Sequence, residues 1–185
     1  DGQLYNFIDY VVAPVEAAWE WDEPAKAAQV VARITPGQLG LWAILNANGQ
    51  VCNGGFSQFF FNSYGELAEE ALQGFRLFGM DDYAGIFESA YAMFRERPIP
   101  KNREKRIEIL ASIADDTGEE EVEYNPGVPM QLQYFGALAE RAGQYWSDLE
   151  TRYYALIHRK GVAGGYNAAF FRPLVDFIEA HPEEF

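Results

Sequence analysis

The spacing of apolar residues limits this chain more than any other feature. Leu4, Phe7, Ile8, Val11, Val12, Val15, Ala18 and Trp19 recur at intervals of three and four, the period of one buried helical stripe. The same period returns along most of the 185 residues, and no stretch shows sustained period-two alternation. The chain therefore reads as an all-α domain of about seven to nine helices. Nothing in residues 1–185 looks like an internal repeat or a linker, so a single domain is expected.

Local signals place the helices. Thr35 followed by Pro36 is an N-cap with proline at the first helical position, opening a helix through Leu39, Trp42, Ala43 and Leu45 that Gly49 is expected to stop. After Asn53, Gly54 and Gly55, the residues Phe56, Phe59 and Phe60 share one face of a second helix and should be buried. A third helix, from Leu67, ends at Gly79 as a left-handed C-terminal residue. Asp81 or Asp82 is read as the cap of a helix that Pro98 and Pro100 terminate, and Asn102 as the cap of the next. Residues 115–129, with their acids and the Asn125-Pro126-Gly127 turn signal, read as a loop. Helical spacing resumes from Leu132 to Ile157, and Pro173 is expected to open the last helix.

Catalytic and metal chemistry find little footing. His158 and His181 form no ligand pair, and Cys52 is the one cysteine, which points to no intrachain disulfide and to the cytoplasm. No apolar run approaches the roughly 20 residues of a membrane span, and no leader is visible. Asn53-Gly54-Gly55 before a helix has the form of an anion cradle, but residues 34–94 contain a single base, Arg76, so a conformational role for the glycines is favoured. Carboxylate pairs such as Glu66 with Glu70, Glu16 with Glu20 and Glu119 with Glu123 are too common here to mark an acid and base pair. An enzyme reading rests only on a pocket that Trp42, Phe56 and Tyr91 would line, so no enzyme activity and no cofactor is expected.

Charge is the informative remainder. Fourteen Lys and Arg face twenty-eight Asp and Glu, a net charge of −14 that opposes direct nucleic-acid binding. Six of the fourteen bases fall within residues 95–108, and this segment is expected to pair with the protein's own acids. Asp115, Asp116, Glu119, Glu120, Glu121 and Glu123 place six acids in nine positions without a base. Together with Glu66, Glu69 and Glu70 they are the candidate partner-binding residues. Carboxylates one helical turn apart rise about 6 Å, comparable with neighbouring phosphates on a DNA strand, so such a face can imitate DNA.

The run Asn53-Gly54-Gly55-Phe56-Ser57-Gln58-Phe59-Phe60-Phe61-Asn62, followed by Gly65 and a helix ending at Gly79, resembles the signature of a bacterial family named for a DNA-mimic protein. Asp148-Leu149-Glu150 with Tyr153-Tyr154 resembles a second, downstream motif of that family, and the similarity spans about residues 40–160. An acid that the family carries ahead of the signature is replaced by Gln50-Val51-Cys52. The resemblance implies an all-α fold, a homodimer, and an acidic surface that occupies the DNA-binding site of a transcription factor or histone-like protein. The competing reading is an interaction or immunity-type module that binds a specific partner without imitating DNA.

Overall fold

The computed structural model describes residues 2–21, 23–94, 97–115, 130–159 and 168–185. Among them are eight α-helices and no strand: α1 (Gly2–Ala18), α2 (Pro24–Val31), α3 (Pro36–Phe61), α4 (Ala68–Leu77), α5 (Asp81–Tyr91), α6 (Arg103–Asp115), α7 (Met130–Ile157) and α8 (Ala168–Ala180). Short 3₁₀ turns lie at Ser63–Leu67 and Pro182–Glu184. Helix α3 is the axis of the fold, packed against α1, α4, α6 and α7.

Thr35 starts that axis as its position predicts. Its Oγ1 accepts the Gln38 N–H at 3.1 Å while Gln38 Oε1 accepts the Thr35 N–H at 3.2 Å, a reciprocal capping box that satisfies two otherwise orphan donors. Gly49 does not stop the helix. It is exposed, but Ala47 and Val51 on either side are fully buried, and their packing outweighs the roughly 1 kcal/mol that glycine costs in a helix. Further along, Phe56, Phe59 and Phe60 are all 0% exposed. Phe56 meets Phe87 edge-on at 5.1 Å between centroids, and Phe60 lies 4.6 Å from Phe94 and 5.4 Å from Trp146. Trp42, Phe56 and Tyr91, the proposed pocket lining, are core residues.

Helix α4 crosses α3 where Gly40 and Gly74 meet: a Cβ on Gly40 would lie 3.0 Å from the Gly74 Cα, so the two backbones touch. Gly79, at φ +67, ends α4 as predicted, with Met80 N–H bonded to Phe75 O at 2.8 Å and Gly79 N–H to Arg76 O at 3.1 Å. This turn leads directly into α5. Its N-cap is therefore Met80, and Asp81 and Asp82 occupy the first turn, where they face the positive helix end without capping it.

Two other boundaries and one helix differ from the expectation. Helix α5 ends at Tyr91, well before Pro98, although Phe94 still reaches the core. Helix α8 begins at Ala168 rather than Pro173, because buried Ala168 and Phe170 hold a helical turn that tolerates the proline. Helix α2, with Pro24 at its first turn, buries Ala27 and leaves Ala25, Ala28 and Val31 exposed, so no buried stripe marks it in the sequence. Asn102 caps α6 as expected, accepting the Lys105 N–H at 2.9 Å.

Candidate functional site

The two motifs meet at one place. Helix α3 breaks at Gly54 (φ −157°, ψ 28°) and Gly55 (φ 74°, ψ −174°), which strands carbonyls on the near side of the break and N–H groups on the far side. Helix α7 supplies their partners. Glu150 Oε1 accepts the Phe56 N–H at 2.8 Å, and Tyr154 shares its hydroxyl proton between Val51 O (3.0 Å) and Cys52 O (3.2 Å). Tyr153 donates to Asn48 Oδ1 at 2.9 Å. A Cβ on Gly55 would stand 2.2 Å from Glu150 Oε1, so the glycine is needed both for its positive φ and for the seat of the carboxylate.

The amides of the signature form a second layer. Asn53 Nδ2 donates to Gln58 Oε1 at 3.1 Å, while Gln58 Nε2 and Asn62 Nδ2 both donate to Gln50 Oε1, at 3.1 and 2.7 Å. Gln50 thus acts as a double acceptor. A carboxylate, also an acceptor, would suit the same two donors.

Burial pushes the Glu150 carboxyl above its ordinary value, with the Phe56 N–H pulling partly the other way. A carboxyl raised on folding contributes fully below its unfolded value near 4.5, and that contribution is lost as pH rises through the folded value. Glu150→Gln, which keeps an acceptor but no charge, should leave stability at neutral pH unchanged or slightly raised. Glu150→Ala should cost about 1–2 kcal/mol by orphaning the Phe56 N–H. Urea melts of the two variants at pH 4 and pH 7 check the pair, and equal losses in both would defeat this account of the contact.

Chemically the junction is a brace. Cys52 is exposed, and partial burial raises its thiol. The described residues hold no group of three or more His, Cys, Asp or Glu able to bind a metal ion. Beside the junction, burial holds the phenols of Tyr91 and Tyr153 well above their ordinary range and pushes Tyr83 up to about 12. These groups stay protonated when folded but ionise near pH 10 when unfolded, so their contribution is complete below pH 10 and lost above it. Unfolding free energy should fall above that pH by up to roughly 1.4 kcal/mol per unit for each tyrosine. Urea titrations from pH 9 upward test this, with part of the phenolate absorbance appearing only on unfolding; the full phenolate absorbance of all eleven tyrosines in the intact fold would refute it.

The acidic candidates separate into two groups. Glu66, Glu69 and Glu70 do not form an open face. Glu66 is only 5% exposed and accepts the Trp19 Nε1–H at 2.7 Å. Glu69 Oε1 lies 3.5 Å from Arg97 Nε and accepts the Ile99 N–H at 3.1 Å. Glu70 Oε1 lies 2.5 Å from Lys101 Nζ. Glu66 is taken by Trp19, and Glu69 and Glu70 are met by the basic segment, which docks across α4 as its charge predicts, so none of the three is an unpaired surface acid. Asp116, Glu119, Glu120, Glu121 and Glu123 lie outside the described residues, as does the side chain of Asp115.

Arg106 is a structural residue that helical spacing alone does not single out. It is 0% exposed and donates from Nε to Phe60 O (3.0 Å), from Nη1 to Pro100 O (2.9 Å) and Lys101 O (2.6 Å), and from Nη2 to Asn62 O (2.9 Å) and Ser63 O (3.5 Å). It closes the C-terminal end of α3, where carbonyls lack helical partners and a cation suits the dipole. Gly65 makes room for it: a Cβ there would stand 2.7 Å from Arg106 Nε. The available signal was that Arg106 precedes buried Leu110 by one helical turn.

No helix among the described residues is long and apolar enough to cross a membrane. No curated protein and no solved structure matches the chain. A family model does match, that of DMP19-like protein, over residues 32–125. The match covers just over half of the chain, taking in the whole signature, the Gly79 turn and the arginine that closes α3. On that ground the chain belongs to the DMP19-like protein family, a DNA-mimic family.

Proposed function

We propose that this chain is an acidic binding protein without catalytic activity that occupies the DNA-binding surface of a basic partner, such as a transcription factor or histone-like protein. The observation that carries this reading is the unequal use of charge. The bases of residues 97–106 are largely spent inside the molecule: Arg106 is buried, Arg97 and Lys101 pair with Glu69 and Glu70, and Arg103 Nε binds Phe61 O at 2.9 Å. The carboxylates they leave outside are numerous. Glu104 and Glu108 stand exposed one turn apart on α6, with no cation within ion-pair distance among the described residues, and the chain continues from α6 into the acid-rich residues 115–123. The same reading includes a homodimer in the cytoplasm, with transcription regulation as the outcome.

Competition with DNA tests it. Basic proteins retained by the immobilised chain should be released by duplex DNA, and their binding should weaken steeply with salt as the charges are screened. Neutralising Glu104, Glu108, Asp115, Asp116, Glu119, Glu120, Glu121 and Glu123 to amides should abolish the competition without unfolding the protein. A partner that stays bound in excess duplex, and to the neutralised variant, would instead support a partner-specific module that does not imitate DNA.

A further inference from the structure

Between the end of α2, the start of α3 and the outer side of α4 runs a groove of about 370 Å³. Val31, Ile34, Pro36, Leu39 and Leu77 give it apolar walls, together with Glu70 and Gln73 of α4. Gly40 and Gly74 also line it, at the point where α3 and α4 touch. Two of the four large hydrophobic residues exposed among the described residues sit here, Val31 at 37% and Leu77 at 41%. The lining carboxylate is half satisfied. Glu70 Oε1 is held by Lys101, but Oε2 is buried and has no hydrogen-bond partner.

A buried acceptor without a donor is costly, and most so when charged. An occupant that brings a cationic N–H donor removes that cost by drawing the Glu70 carboxyl outward to meet it, and apolar walls favour one that also brings hydrocarbon. Arginine and lysine side chains combine the two, an apolar stem and a cationic head. The volume suits a side chain and its neighbours rather than a folded element. Charge selects among proteins that offer such a segment: a chain of −14 attracts a basic partner more strongly than an acidic or neutral one.

We propose that this groove is an anchoring site for a basic partner, taking an arginine or lysine flanked by apolar residues, with the cationic head at Glu70 and the apolar neighbours against Val31, Leu39 and Leu77. The inference rests on the basic-partner half of the function proposed above. It adds to a screened surface attraction a partly desolvated contact of defined shape, which salt weakens less.

The probe is a capped pentapeptide with arginine between two leucines and glycine at each end, titrated into the isotope-labelled full chain and followed by NMR. Amide shifts should centre on Val31, Leu39, Gln73 and Leu77. Replacing the arginine with neutral citrulline should weaken binding about tenfold or more, as expected for loss of a charged hydrogen bond. Glu70→Gln and Leu77→Gln should each weaken it to a similar degree, while Glu16→Gln, at an exposed acid on α1, should change it less than twofold. Leu77 is surface-exposed, so that variant folds even if Glu70→Gln does not.

Parent-like binding by the Leu77 variant overturns the proposal, as does an equal loss in the Glu16 variant. Groove shifts that follow protein concentration without peptide also overturn it, since a second copy would then be the occupant. If the peptide fails while duplex DNA still displaces a basic partner, only this inference falls. If the peptide seats in the groove but no basic partner yields to DNA, the groove stands and mimicry falls.

Discussion

Arg106→Met is expected to lower the unfolding free energy by about 3–5 kcal/mol, because a buried charge is removed together with its role as donor to five backbone carbonyls. Methionine fills much of the space but satisfies none of those acceptors. The Phe60 carbonyl, inside the core, is left without a side-chain donor. Arg106→Lys keeps the charge and loses the planar fork, so it should fall between parent and methionine variant. Urea denaturation followed by tryptophan fluorescence measures both. A methionine variant that melts at the parental urea concentration would mean that the helix end is closed by something other than this side chain.

Gly55→Val should cost about 3 kcal/mol or more. Two independent penalties combine: a β-branched residue at φ +74° is strained, and its Cβ would collide with the Glu150 carboxylate. If the collision dominates, Glu150→Ala should recover part of the loss in the double variant. If backbone strain dominates, the two losses should add. Gly54→Val should be milder, since Gly54 has an ordinary negative φ and its nearest obstruction is the flexible end of Gln58. Equal melting of parent and Gly55→Val would contradict the geometry of the break.

Much of this architecture was legible because helices are local. The stripe carrying Phe56, Phe59 and Phe60 depends only on spacing within one helix, and the cap at Asn102 and the turn at Gly79 only on residues a few places apart. The glycine pair was legible too, as a demand for unusual backbone. What was missed depends on contacts across the chain. Glu66 reads as a surface acid because Glu69 and Glu70 follow it at helical spacing, yet its indole partner is Trp19, 47 residues away. Arg106 was counted as one cation of a basic run, while its place on the stripe of Leu110 marked it as inward-facing. Glu150 shows the same pattern: it stands one turn beyond Trp146 and one before Tyr153, both fully buried, and so had to find a buried partner of its own. In a chain this acidic, the stripe position of a charged residue says more about its role than the density of charge around it.

The brace between α7 and the break in α3 also orders events in time. Its hydrogen bonds join residues 94 to 105 positions apart, so none can form until most of the chain exists. Loop closure over such spans is slow compared with the growth of either half of α3. On the ribosome, both halves of that helix emerge before Tyr154 has been added, with the glycine joint between them unbraced. The glycine joint of α3 is therefore among the last parts of the fold to take its final shape, and the interval in which it is open is set by the rate of synthesis rather than by its own sequence.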